Sequence, residues 1–155
     1  MTSNFMQEAA RLALENVTGG AGGPFGAVIV RRGEIIARGV NRVTADHDPT
    51  AHAEVNAIRA AARLLGRFDL SDCQIYTSCE PCPMCLGAIY WARLAQVHYG
   101  CTQADADAIG FSDQFIYEEL EKPKAERALP MTQEGREESL EAFRAWQASV
   151  EKVEY

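Results

Sequence analysis

Two hydrophobic rhythms alternate along this chain, and their order restricts the folds open to it. Phe5, Ala9, Leu12, Ala13 and Val17 recur at helical spacing and share one face of a helix expected over residues 4–17. Asn4 is placed to cap it, and Gly19-Gly20 to end it. Residues 27–31 and 34–40 then read as two strands joined by a tight turn at Arg32-Gly33. Residues 42–49 are polar and read as a loop. Residues 51–65 are alanine-rich and helix-favouring, with Gly66 as the stop. Residues 73–77 alternate like a buried strand, and residues 97–101 form another. Between them, residues 82–93 read as a helix whose Pro81 and Pro83 lie where a missing N–H costs least. A hairpin followed by helix, strand, helix and strand fits a mixed sheet with helices on both faces.

Beyond Cys101 the pattern is weaker. Residues 102–124 are expected to form short helices and loops, and residues 128–132 a fifth strand. Residues 139–150 read as a helix with Leu140, Phe143, Trp146 and Val150 on one face. With no repeat, low-complexity stretch or linker, the 155 residues are read as a single domain.

The net charge of −7 argues against a broad polyphosphate partner, because binding by counterion release needs clustered Lys and Arg. No nucleic acid is therefore expected. No apolar run approaches the ~20 residues of a membrane helix, so no membrane is expected either. The first twenty residues, which carry Glu8 and Glu15, show no secretory signal. The five cysteines are thus expected as thiols in a cytoplasmic protein.

Two of those cysteines carry the chemistry. Cys82 and Cys85 stand three apart where a helix begins, and His52-Ala53-Glu54 lies 30 residues upstream at the start of another. Two thiolates and an imidazole are three of the four ligands of a tetrahedral zinc. With water as the fourth, the site is catalytic. The charges of Zn²⁺ and two thiolates cancel, and Glu54 stands ready to take the water's proton. A helix N-terminus also favours thiolates. Two other readings remain open on the residues alone. Cys79 as a fourth ligand would close the site and make it structural, and Cys82-x-x-Cys85 alone also suits a redox pair. The combined His-x-Glu and Pro-Cys-x-x-Cys order is the signature of zinc nucleobase deaminases, in which the glutamate moves protons and is not a ligand.

The chain resembles the cytidine deaminase-like superfamily and, within it, the bacterial guanine deaminase family. Residues 22–28 (Gly-Gly-Pro-Phe-Gly-Ala-Val), 48–54 (Asp-Pro-Thr-Ala-His-Ala-Glu) and 76–93 carry the likeness, as do residues 111–117 (Phe-Ser-Asp-Gln-Phe-Ile-Tyr) and the closing Glu154-Tyr155. The resemblance implies a three-layer α/β/α sandwich with a five-stranded mixed sheet. It also implies a homodimer in which the C-terminal segment, about residues 133–155, is exchanged and covers the partner's site. Carried over position by position, it implies one zinc per chain on His52, Cys82 and Cys85, with Glu54 as proton shuttle. Asn41 then hydrogen-bonds the purine, Phe25 and Trp91 wall the pocket, and Ala53 offers a backbone group. Asp113 and Tyr155 read the guanine edge. On the residues alone, Asn41 reads equally as turn chemistry, Trp91 as core, Asp113 as a helix cap and Tyr155 as a loose chain end. The implied reaction is hydrolysis of guanine to xanthine and ammonia, hydroxide attacking C2. The rivals are a tRNA adenosine deaminase, a cytosine or triazine deaminase, and a structural-zinc binding module.

Overall fold

The computed structural model describes residues Met1–Tyr155, which fall into two compact units, Met1–Gln114 and Phe115–Tyr155. No helix is long and apolar enough to cross a membrane.

The first unit is built on a four-stranded sheet. Strands β1 (Gly26–Arg31) and β2 (Glu34–Val40) form an antiparallel hairpin closed by Arg31 opposite Glu34. Its turn residues Arg32 and Gly33 have φ of 51° and 79°. Two left-handed residues match the right-handed twist of the flanking strands. β3 (Cys73–Cys79) pairs antiparallel with β1, and β4 (Gln96–Cys101) pairs parallel with β3, giving the order β2-β1-β3-β4. Parallel neighbours need a crossover, and helix α4 (Pro83–Trp91) supplies it.

Helix α1 (Asn4–Thr18) begins at the expected residue, but Asn4 is its first residue and not its cap. Ser3 is the cap, its hydroxyl accepting from the Met6 N–H at 3.2 Å. Glu8 pairs with Arg11 within the helix and ties the helix to the sheet through its ion pair with Arg38 of β2. A short helix, α2 (Val43–Asp46), forms where a loop was expected, and Arg42 pairs with Asp46 across it. Helix α3 (Ala53–Leu65) ends at Gly66, whose φ of 64° is the left-handed stop a glycine provides.

The two helical layers sit on opposite faces. Adjacent residues of β3 point opposite ways. Tyr76 stacks on His98 at 4.1 Å and meets Phe5 of α1, whereas Thr77 reaches Glu54 of α3. The core on the α3 side joins Ala27, Ile29, Ala53, Ala57, Ala61, Ile75 and Ile89, all buried. Its small side chains let helix and sheet approach closely. A Cβ at Gly39 would stand 2.2 Å from the Ala53 carbonyl oxygen. This three-layer arrangement is as expected, but the sheet has four strands, not five. The unit closes with α5 (Gln103–Ala108), whose Thr102 and Asp105 form a reciprocal capping box.

The second unit holds α6 (Gln114–Glu121, whose first residue belongs to the first unit), a 3₁₀ turn at Lys124–Glu126 and α7 (Arg136–Ala148). Residues 128–132, the expected fifth strand, are irregular. The Ala128 N–H is donated to the Glu119 carboxylate at 2.6 Å, and Arg127 Nε to the Glu119 carbonyl at 2.9 Å. Pro130 has no N–H to give a ladder. On α7, Phe143 and Trp146 are exposed, as are Val150, Val153 and Tyr155 beyond it.

Candidate active site

Two helix N-termini converge to make the site. His52 is the N-cap of α3, with extended backbone (φ −75°, ψ 156°), and Glu54 is the second residue of the helix. Inside a helix two such residues would diverge by about 200°. Because His52 stands outside the first turn, both side chains address one place. Cys82 likewise caps α4, its Sγ accepting from the Cys85 N–H at 3.5 Å, with Pro83 as the first helical residue.

His52 Nδ1 lies 3.5 Å from Cys82 Sγ and 3.5 Å from Cys85 Sγ. All three donor atoms lie within 4.8 Å of one another. A tetrahedral zinc with Zn–N of about 2.05 Å and Zn–S of about 2.3 Å requires N···S separations of about 3.6 Å. The donor set and its spacing therefore fit one zinc ion with a fourth position open. Cys79 is not in this group. Its Sγ lies 3.8 Å from the Thr102 carbonyl oxygen, and burial raises its thiol to about 11. That removes the closed form of a structural site, with three cysteines and one histidine.

Electrostatics bind the cluster together. The Cys82 thiol is made more acidic, chiefly by hydrogen bonding from the Cys85 thiol, with His52 adding to the effect. The Cys85 thiol is correspondingly raised. His52 is raised by its bond to Cys82. Glu54 is only 6 % exposed, and burial raises its pKa. Hydrogen bonds from Cys85 and Thr77 work against that shift. A carboxylate so placed is suited to take and return protons.

The residues expected to bind the base are placed as follows. Asn41 is buried, its Oδ1 accepting from the Val43 N–H at 3.2 Å, and its own N–H is donated to the Phe25 carbonyl at 3.2 Å. Phe25 meets Phe111 edge to face at 5.0 Å. Asp113 Oδ1 accepts from Gln103 Nε2 at 3.1 Å, and the Gln103 N–H is donated to Glu80, two residues before Cys82. Ala53 is fully buried as the first residue of α3, where backbone N–H groups have no helical partner. Trp91 ends α4 and is 66 % exposed, so it is not core. Tyr155 lies exposed in the second unit.

Sequence reasoning missed three polar residues that brace these positions. Asn16 of α1 donates from Nδ2 to the carbonyls of Gly23 and Asn41, at 2.8 and 2.9 Å, fixing the glycine-rich loop against the strand end. Gly22 has no room for a side chain, since its Cβ would lie 2.6 Å from the Asn41 carbonyl oxygen. Gln103 and Thr77 hold Asp113 and Glu54. A buried asparagine breaking the apolar face of a helix is the one signal available for Asn16.

Residues 1–101 match the family model of the cytidine and deoxycytidylate deaminase zinc-binding region. The guanine deaminase of Bacillus subtilis is 56 % identical over 151 residues, 97 % of each chain. Its X-ray structure superposes with a TM-score of 0.95 at 54 % identity, covering 100 % of this chain and 99 % of that one. The tRNA-specific adenosine deaminase of Agrobacterium fabrum is 42 % identical over 93 residues, 60 % of this chain and 61 % of its own.

Proposed function

The chain belongs to the cytidine and deoxycytidylate deaminase family, and we infer from its guanine deaminase relatives that it hydrolyses guanine to xanthine and ammonia. The observation that carries the reading is the buried Glu54 carboxylate, two residues after His52 of the His52, Cys82, Cys85 cluster. His52, Cys82 and Cys85 would hold the zinc, which when bound makes water a nucleophile at neutral pH and polarises the oxygen it binds.

The remaining work belongs to the chain. Glu54 takes one proton from the attacking water and passes it to N3 of the base as C2 is attacked. It then carries the second proton of the added water from the new C2 hydroxyl to the exocyclic amine, so that the C2 carbonyl forms as the C–N bond breaks and ammonia leaves. Water and guanine are thereby converted to xanthine and ammonia with no net change of protons on the protein. Asn41 and Asp113 orient the purine through its polar edge, and Phe25 and Trp91 flank its faces. Ala53 contributes its helix-terminal backbone.

We assign the C-terminal segment, about residues 133–155, to an exchanged tail in a homodimer, with Tyr155 closing the partner's pocket. The exposed Phe143, Trp146, Val150, Val153 and Tyr155 support this. So many large apolar groups in one short segment mark an interaction surface. The cytoplasm is the proposed location, and the two units then form one functional domain.

Glu54→Gln tests the proton role. With one zinc per chain retained, kcat on guanine is expected to fall by at least about 10²–10⁴-fold. Wild-type turnover by the zinc-replete variant would remove Glu54 from the mechanism.

A further inference from the structure

Thr77 lies in the centre of the sheet, opposite Ala27 of β1 and Tyr99 of β4, and is 1 % exposed. Its Oγ1 stands 3.1 Å from Glu54 Oε1 and 3.1 Å from the Cys79 carbonyl oxygen. Both neighbours are acceptors and a hydroxyl has a single proton, so the Thr77 O–H is given either to the Glu54 carboxylate or to the Cys79 carbonyl, and the bond to Glu54 ties α3 to the centre of β3. A β-branched side chain on a doubly paired strand has little freedom at χ1, whereas a glutamate has three rotatable bonds. The stiff partner therefore fixes the flexible one.

We propose that Thr77 is a positioning residue for deamination, its hydroxyl holding one oxygen of Glu54 so that the other faces the reacting water. The proposal rests on the reading of Glu54 as proton shuttle. A second-layer hydroxyl of this kind changes the rate of proton transfer and leaves zinc and base binding alone. A hydroxyl that only satisfied a buried carboxylate would act on stability and metal content instead.

The experiment compares zinc-loaded Thr77→Val, Thr77→Ser and Glu54→Gln with the wild type. It measures zinc per chain, kcat and KM on guanine, and Kd for xanthine. Thr77→Val keeps the shape and loses the hydroxyl. Its kcat is expected to fall about 10–100-fold, with KM and the xanthine Kd within about twofold and one zinc bound. Thr77→Ser is expected to recover kcat to within about threefold of wild type. Thr77→Val with wild-type kcat, with lost zinc, or with a change confined to KM overturns the proposal, as does failure of Ser to recover kcat. If Glu54→Gln itself turns over normally, the shuttle reading has failed. If Glu54→Gln is dead and Thr77→Val is normal, only the role of Thr77 has failed.

Discussion

Gly39→Ala should damage the site from the far side of a helix. In the sheet Gly39 pairs with Ala27, and it faces the first turn of α3. A Cβ there would lie 2.2 Å from the Ala53 carbonyl oxygen, 2.5 Å from the Ala57 nitrogen and 3.1 Å from the Ala57 Cα. All three are backbone atoms, so no side chain can turn aside. Restoring ordinary contacts of about 3.3 Å requires α3 to move by about 1 Å from β2. His52 caps that end of the helix and Glu54 follows it, so both would move with it. Overpacking of this kind costs about 1–3 kcal/mol or more. A shift of about 1 Å at reacting groups costs about 10²-fold in rate. Urea unfolding, zinc content and guanine kcat/KM measure the three consequences. Gly87→Ala, in α4 with nothing within 4 Å of the added Cβ, is the control. It should match or exceed wild-type stability, by up to about 1 kcal/mol. A Gly39→Ala protein with wild-type stability and activity would refute the account of how α3 sits on the sheet.

Two further outcomes are expected. Glu8 is held down to about 2, first by its hydrogen bonds from Arg11 and then by those from Arg38. Its folded pKa lies below the unfolded value of 4.5, so its contribution is full above pH 4.5 and is lost as pH falls towards about 2. Both guanidinium partners are half-exposed, so solvent limits that contribution to about 1 kcal/mol. Glu8→Gln should thus lower Tm by about 2–4 °C at pH 7 and by less at pH 3, and an equal deficit at both would refute the linkage. Deleting Val153, Glu154 and Tyr155 should leave one zinc per chain while lowering guanine kcat/KM by about tenfold or more. An unchanged kcat/KM would rule out a tail that closes the pocket.

The elements legible in the sequence are those whose signal is local. The hairpin turn at Arg32-Gly33, the stop at Gly66 and the Cys82-x-x-Cys85 helix start were all readable from a few neighbouring residues. The angular conflict between His52 and Glu54 was readable too. Its resolution required knowing that α3 begins at Ala53, a boundary that propensity places only to within a few residues. The braces were not legible. Thr77 and Glu54 are 23 residues apart, and Asn16 and Asn41 are 25 apart. Hydrogen bonds over such distances leave no periodicity to find. The fifth strand does not form because Pro130 has no N–H for a ladder and the Ala128 N–H goes to Glu119 of α6. The second unit shows the reverse case. The apolar face of α7 was legible as if for a core, yet Phe143 and Trp146 on it are exposed.

The most direct test is ammonia release by the zinc-replete protein from guanine, guanosine, adenine, cytosine, a triazine and a tRNA anticodon stem-loop, assayed side by side. The account predicts rapid turnover of guanine, with guanosine and the RNA inert because the pocket encloses a free base. Turnover of the RNA, or silence on guanine with zinc bound, would contradict it.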